Sequence, residues 1–169
     1  MVSSESVDKT CSEVGEYTDE RMVGEFDRFF RVQPAVCEFI IELTQESDKK
    51  IQELSLFLSY IVFKAIDTER PGTAATIEQA DIETAYQSTE SWMARLSQAE
   101  NTELQATIAA SLTQDKEPFL LQYVISELNE PMEDGTELND EEKGEIFFIL
   151  KTVISAIEQE PKRRTIEID

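Results

Sequence analysis

Histidine is missing from all 169 residues. Its absence removes Ser-His-Asp and Cys-His nucleophile arrangements, the usual His-containing zinc sites, HD-type metal sites and di-iron bundles built on Glu-x-x-His. Acid–base chemistry would fall to carboxylates, Lys, Tyr or Cys. Glycine is scarce and scattered, at Gly15, Gly24, Gly72, Gly135 and Gly144, so neither common glycine-rich phosphate loop exists. The two cysteines, Cys11 and Cys37, form no CxxC pair and read as free thiols in a reducing compartment. Cations are few, 15 Lys and Arg against 36 Asp and Glu, for a net charge of −21. That charge repels the phosphates of nucleic acids and anionic membranes, so a direct nucleic-acid or membrane partner is not expected; a protein with a basic surface is the complementary class. Solvated helix faces account for the same carboxylates without any partner.

Long hydrophobic runs are missing too. The longest nearly uncharged stretch, Ile51 to Ile66, still carries Glu53 and Lys64 and falls short of the roughly 20 apolar residues a bilayer span requires. Ile51, Leu54, Leu58, Ile61 and Ala65 recur at helical spacing, with Phe57, Val62, Phe63 and Ile66 on the flanks. A helix apolar around most of its circumference belongs inside a bundle.

With 40% hydrophobic residues and five prolines, the chain has the makings of one globular core. The expected architecture is all-α, a single-domain bundle of six or seven helices. Residues 1–17 are polar and without sustained periodicity, which predicts a flexible tail; 18–160 form the helical domain, and 161–169 a short C-terminal tail. The first 20 residues have neither the basic start nor the apolar stretch of a secretory signal, and are too acidic for a transit peptide. The expected location is the cytoplasm.

Helix boundaries are marked in several places. Thr18 is an N-cap with Asp19 and Glu20 in the first turn, ahead of Met22, Val23, Phe26, Phe29 and Phe30 on one face. Pro34 and Pro118 suit the first turn of two strongly apolar helices. Glu69 to Thr73 is a breaker. Thr76 with Gln79 has capping-box spacing before a weakly apolar, outer helix, and Asn139 with Glu142 has it before the last long one. A short helix with Leu104, Ile108 and Leu112 is expected between them, and Pro161 should end the last. Pro34, Phe39, Ile40 and Ile41 match Pro118, Tyr123, Val124 and Ile125 at a constant offset, and Phe57, Val62, Ala65, Ile66 and Asp67 match Phe148, Val153, Ala156, Ile157 and Glu158 at another. The similarity points to two related helical hairpins, Pro34-Asp67 and Pro118-Glu158, packed about a pseudo-twofold axis; the limited alphabet of buried helices is the competing explanation.

Two functional readings follow. The first is a non-enzymatic acidic protein-interaction or regulatory module, monomeric or a homodimer, without cofactor. Its contact residues would be the lone tryptophan, Trp92, and Glu133, Asp134 and Glu137 of the acidic loop, although a partly buried structural indole is the commoner fate of such a tryptophan. The second is a carboxylate-dependent metal hydrolase acting on a nucleotide or phosphate ester, with Mg²⁺ held by Glu38, Glu42, Glu78 and Asp81 on neighbouring helices. Glu78-x-x-Asp81 resembles the ExxD helix of helical nucleotide pyrophosphohydrolases, but the preceding helices lack the ExxE partner. An EF-hand template with Gly135 at its sixth position puts Glu130 and Met132 at ligand positions where the loop needs aspartate or asparagine.

Overall fold

The computed structural model describes residues 1–97 and 115–164, the last five of these by backbone alone. Among the described residues all regular structure is helical: α1 (Ser4–Gly15), α2 (Asp19–Val32), α3 (Pro34–Leu43), α4 (Lys49–Glu69), α5 (Gln79–Ser97), α6 (Pro118–Leu128) and α7 (Asp140–Arg164). The helix expected around Leu104 to Leu112 and the tail beyond residue 164 lie outside the described residues.

The central stretch becomes α4. Its Leu58, Ile61, Val62, Ala65 and Ile66 are buried together with Ile149, Leu150, Val153, Ile154 and Ala156 of α7 in one core, and α4 and α7 pack on each other. None of the described helices is long and apolar enough to cross a membrane.

The N-terminal segment departs from the expected flexible tail. It folds as α1, with Ser3 accepting from the Ser6 N–H as N-cap. Val7, Thr10 and Val14, all buried, form a stripe too narrow to register as amphipathic in a Ser- and Glu-rich segment. Its anchor is Glu69 at the end of α4, which accepts from the Ser3 N–H (3.1 Å), the Ser3 hydroxyl (2.8 Å) and the Ser6 hydroxyl.

Other boundaries follow their local chemistry. Thr18 caps α2 by accepting from the Arg21 N–H, and Asn139 and Glu142 satisfy each other's backbone N–H groups at 2.8 and 3.0 Å. Thr76 does not cap α5, however. Its hydroxyl donates to the Val32 carbonyl, and Asp81 accepts from the Glu78 N–H at the helix start instead. On α2, Met22, Phe26 and Phe29 face the core, whereas Val23 and Phe30 stay 63% and 38% exposed. The backbone of α7 stays helical through Pro161 to Arg164. As expected of an outer helix, α5 is mostly exposed; it packs on α7 through the narrow stripe Ile82, Ala85, Thr89 and Leu96.

Internal symmetry relates that stripe to another helix. Along α3 and α6 the buried sets Val36, Cys37, Ile40 and Leu120, Leu121, Val124 match at one offset, as the hairpin similarity predicts. The correspondence then extends to α1 and α5, where Val7, Thr10 and Val14 match Ile82, Ala85 and Thr89. Packing obeys the same exchange: α1 packs on α4 as α5 does on α7, and α1 packs on α6 as α5 does on α3. The first helix of each half thus lies between its own long helix and the short helix of the other half.

The hinge of each half is a buried polar residue before a proline. Gln33 and Glu117 have nearly the same backbone angles, φ −126° with ψ 57° and 61°, as expected for residues held off the helical region by a following proline. Only 2% of Gln33 is exposed; its amide accepts from the Ile77 N–H (2.9 Å) and donates to the Ala75 carbonyl (2.8 Å). Glu117 accepts from the Val2 N–H at 2.7 Å. Ile77 and Val2 are the buried residues leading into α5 and α1, so each cap fastens the incoming helix of one half.

Replacing Gln33 by Leu takes the acceptor from the buried Ile77 N–H and should cost about 1–3 kcal/mol of unfolding free energy, whereas Gln79→Leu, at an exposed position, should cost far less. Urea denaturation checks the order. The Glu69 anchor predicts acid sensitivity: its hydrogen bonds hold the carboxyl down at about 2, from an ordinary 4.5. A depressed folded-state value contributes stability that is present above about pH 4.5 and is lost as pH falls toward 2. In hydrogen exchange, the α1 amides should lose protection over that window, and Glu69→Gln should blunt the change.

Candidate functional site

The four carboxylates expected to hold Mg²⁺ do not converge. Glu38 and Glu42 lie on the exposed side of α3, and Glu78 is exposed ahead of α5. Asp81 turns back onto its own helix start. Glu42 instead borders a depression of about 310 Å³ between α3 and α5, with Glu83 on the other helix and Phe39 and Tyr86 between them. Among the described residues no three acidic or thiol side chains are grouped closely enough to hold a metal ion. Spacing along single helices suggests a shared site; the packing does bring the last turn of α3 to the start of α5, but there Glu42 meets Ile82 and Glu83 across the depression while Asp81 is turned to the Glu78 N–H.

The thiols are not activated. Burial pushes the Cys37 thiol up to about 12. Burial also raises Cys11, partly offset by its hydrogen bond with Tyr123. Neither has the depressed value of a nucleophilic cysteine.

The acidic loop between α6 and α7 has a defined conformation. Thr136 and Met132 close a turn through Met132 N–H to Thr136 O (2.8 Å) and Gly135 N–H to Met132 O (2.8 Å), with Gly135 at φ +81°, a backbone region where glycine avoids the Cβ penalty. Asp134 accepts from both the N–H (2.9 Å) and hydroxyl (2.6 Å) of Thr136, and those bonds lower its carboxyl below the ordinary carboxylate value. Leu138 is buried and Met132 packs on the core, pinning the loop at two points. Glu130, Glu133, Asp134, Glu137, Asp140 and Glu141 remain exposed.

Trp92 stands apart from that loop. Its ring packs on Phe147 at 5.9 Å and lies 5.0 Å from the Lys151 ammonium. Together with the segment at Asp115 and Lys116, α5 and α7 border an open depression of about 420 Å³ whose described wall includes Trp92, Arg95, Asp115, Lys151, Ser155 and Glu158. Lys151 is 8% exposed, and its ammonium meets Asp115 at 3.4 Å. Glu158 Oε1 is sealed from solvent and has no hydrogen-bond partner among the described residues. Burial first, and then the nearby Asp115 charge, raise its carboxyl above the ordinary value.

Sequence reasoning had placed Trp92 with the interaction residues and had not singled out Lys151, Asp115, Arg95 or, as a site residue, Glu158. One signal was present. Aligning the two hairpins sets Lys151 opposite Tyr60 and Glu158 opposite Asp67, so a lysine occupies the place of a core tyrosine.

With this geometry in hand, comparison with known proteins adds no identity: no protein-family model matches the chain, and no curated protein or solved structure is significantly similar to it.

The orphaned carboxylate yields a prediction about stability. A group whose folded value is raised works against folding once pH exceeds its unfolded value. Glu158→Gln should therefore stabilise the protein near neutral pH by roughly 1 kcal/mol, with the gain shrinking as pH falls through the raised folded value and gone below the ordinary 4.5. Paired urea titrations at neutral and acid pH measure it; a variant less stable at both would remove the claim that Glu158 is unsatisfied.

Proposed function

We propose that the chain is a non-enzymatic protein-interaction module whose acidic loop between α6 and α7 docks a partner with a basic surface. The observation that carries this reading is the order of the loop. Its turn, its Asp134 cap and its Met132 and Leu138 anchors hold six exposed carboxylates in place before any partner arrives. A preorganised charge array loses less conformational entropy on binding than a flexible acidic tail, and its field speeds encounter with a cationic surface. Glu133, Asp134 and Glu137 remain the contact residues of the proposal, with Asp134 also shaping the turn. Trp92 leaves the set, since its ring is engaged by Phe147 and Lys151. The cytoplasm is the compartment this reading assumes, and a homodimer is compatible with it.

The hydrolase alternative needs converging carboxylates, and Glu38, Glu42, Glu78 and Asp81 do not supply them.

A lysine- and arginine-rich peptide followed by fluorescence anisotropy tests the loop. The double reversal Glu133→Lys/Glu137→Lys should weaken binding about tenfold at low ionic strength and less at high salt. The charge-matched pair Glu16→Lys/Glu20→Lys, also exposed but distant in sequence, should weaken it far less. Equal losses from both pairs would mean that only net charge matters, and the loop would lose its role.

A further inference from the structure

The groove between α3 and α5 is separate from the acidic loop and has a counterpart elsewhere in the molecule. Phe39, Leu43, Ile82 and Tyr86 line it, with Glu42 on one wall and Glu83 on the other. Phe39 and Leu43 are one turn apart on α3, as are Ile82 and Tyr86 on α5, so the floor consists of two helical turns side by side. The Tyr86 ring packs edge-on against Phe39 at 6.2 Å and Phe148 at 5.3 Å, which holds that floor in place. Leu43 is 37% exposed.

Pseudosymmetry supplies an internal control. As α5 packs on α3, so α1 packs on α6, and the depression between that second pair, about 340 Å³, is lined by matching positions. There Glu127 stands for Leu43, Ser126 for Glu42 and Cys11 for Tyr86, and Tyr123 adds a hydroxyl where Phe39 has none. Packing a first helix on the short helix of the other half therefore does not require an exposed apolar floor. The groove between α3 and α5 keeps one. Its charge is also of a single sign: Glu42 and Glu83 are exposed, α3 has no cation, and α5 has none before Arg95.

We infer that this groove docks a basic amphipathic helix of a partner protein, which seats large apolar side chains one turn apart over Leu43 and Tyr86 and pairs flanking lysines or arginines with Glu42 and Glu83. A helix laid along the furrow between two others meets this geometry. Acidic walls around an apolar floor attract cationic flanks and reject acidic ones. A second copy of this chain, at net −21, is repelled for the same reason. The groove, about 310 Å³, has room for the one or two anchors that carry most of the energy of such contacts.

The counterpart also supplies the variant. Glu42→Ser/Leu43→Glu writes the Ser126-Glu127 pair of α6 into α3, leaves the net charge unchanged, and places at each position a residue that the equivalent packing already accommodates. The full chain is titrated, by fluorescence anisotropy, with a labelled lysine-flanked helical peptide carrying two leucines one turn apart and with its twin carrying alanines there. The leucine peptide should bind about tenfold tighter or more than the alanine peptide. Glu42→Ser/Leu43→Glu should erase that preference while retaining helical content and cooperative melting, and the milder Leu43→Ala should lower it severalfold. Glu133→Lys/Glu137→Lys should keep the preference, whatever it does to the two affinities together, which separates this groove from the loop. Equal binding of the two peptides by the unaltered chain overturns the assignment. So does a preference undiminished by Leu43→Ala and by the folded double variant. Sedimentation showing that the chain self-associates and that Glu42→Ser/Leu43→Glu disperses it would also overturn it, because a second copy would then be the occupant.

Discussion

The packing of α4 against α7 is the constraint on which the other elements depend. Both helices are apolar around most of their circumference, and each carries a fully buried alanine, Ala65 and Ala156, within its core stripe. Neither can be covered by a single neighbour. Each therefore takes two further helices, α1 and α3 around α4, α5 and α6 around α7, and the buried polar caps Gln33 and Glu117 fix where the first helix of each half enters. Burying a polar residue at such a place is favourable only because every group it carries into the core meets a backbone partner.

Pseudosymmetry gives the molecule a way of comparing itself with itself. Where both halves need only a core, the corresponding residues are alike in burial and size, as Val62 with Val153 and Ile66 with Ile157. Where they differ, the difference is chemical. Tyr60 contributes to an aromatic cluster with Phe26 and Phe29 at 5.3 and 5.9 Å, whereas Lys151 brings a charge into the equivalent region and must be matched by Asp115 and the Trp92 ring. A buried ion pair rarely adds stability over an apolar equivalent. Its presence in one half alone marks that half as the one whose interior departs from packing requirements.

Charge is divided in the same uneven fashion. The loop between α6 and α7 displays carboxylates outward from a closed turn, while the depression beside Trp92 gathers three of the scarce cations. These are two chemically distinct surfaces on one bundle.

The fold class, the spine from Ile51 to Ile66, the Asn139–Glu142 box and the matching apolar positions of the two hairpins were legible in the sequence, because helical periodicity, capping and proline placement act over a few residues and leave local traces. The helix α1 was not, since Val7, Thr10 and Val14 make a stripe that only docking onto α4 and α6 renders meaningful. The same limit governs the site. Glu38, Glu42, Glu78 and Asp81 had plausible spacings and no convergence, while Trp92, Asp115, Lys151 and Glu158 come together from segments far apart in the chain. Sequence by itself determined which stretches must be helices and which must be inside. Which side chains share a cavity, and whether a carboxylate there finds a donor, was decided by tertiary structure alone, because helix crossings set those distances and no local pattern encodes them.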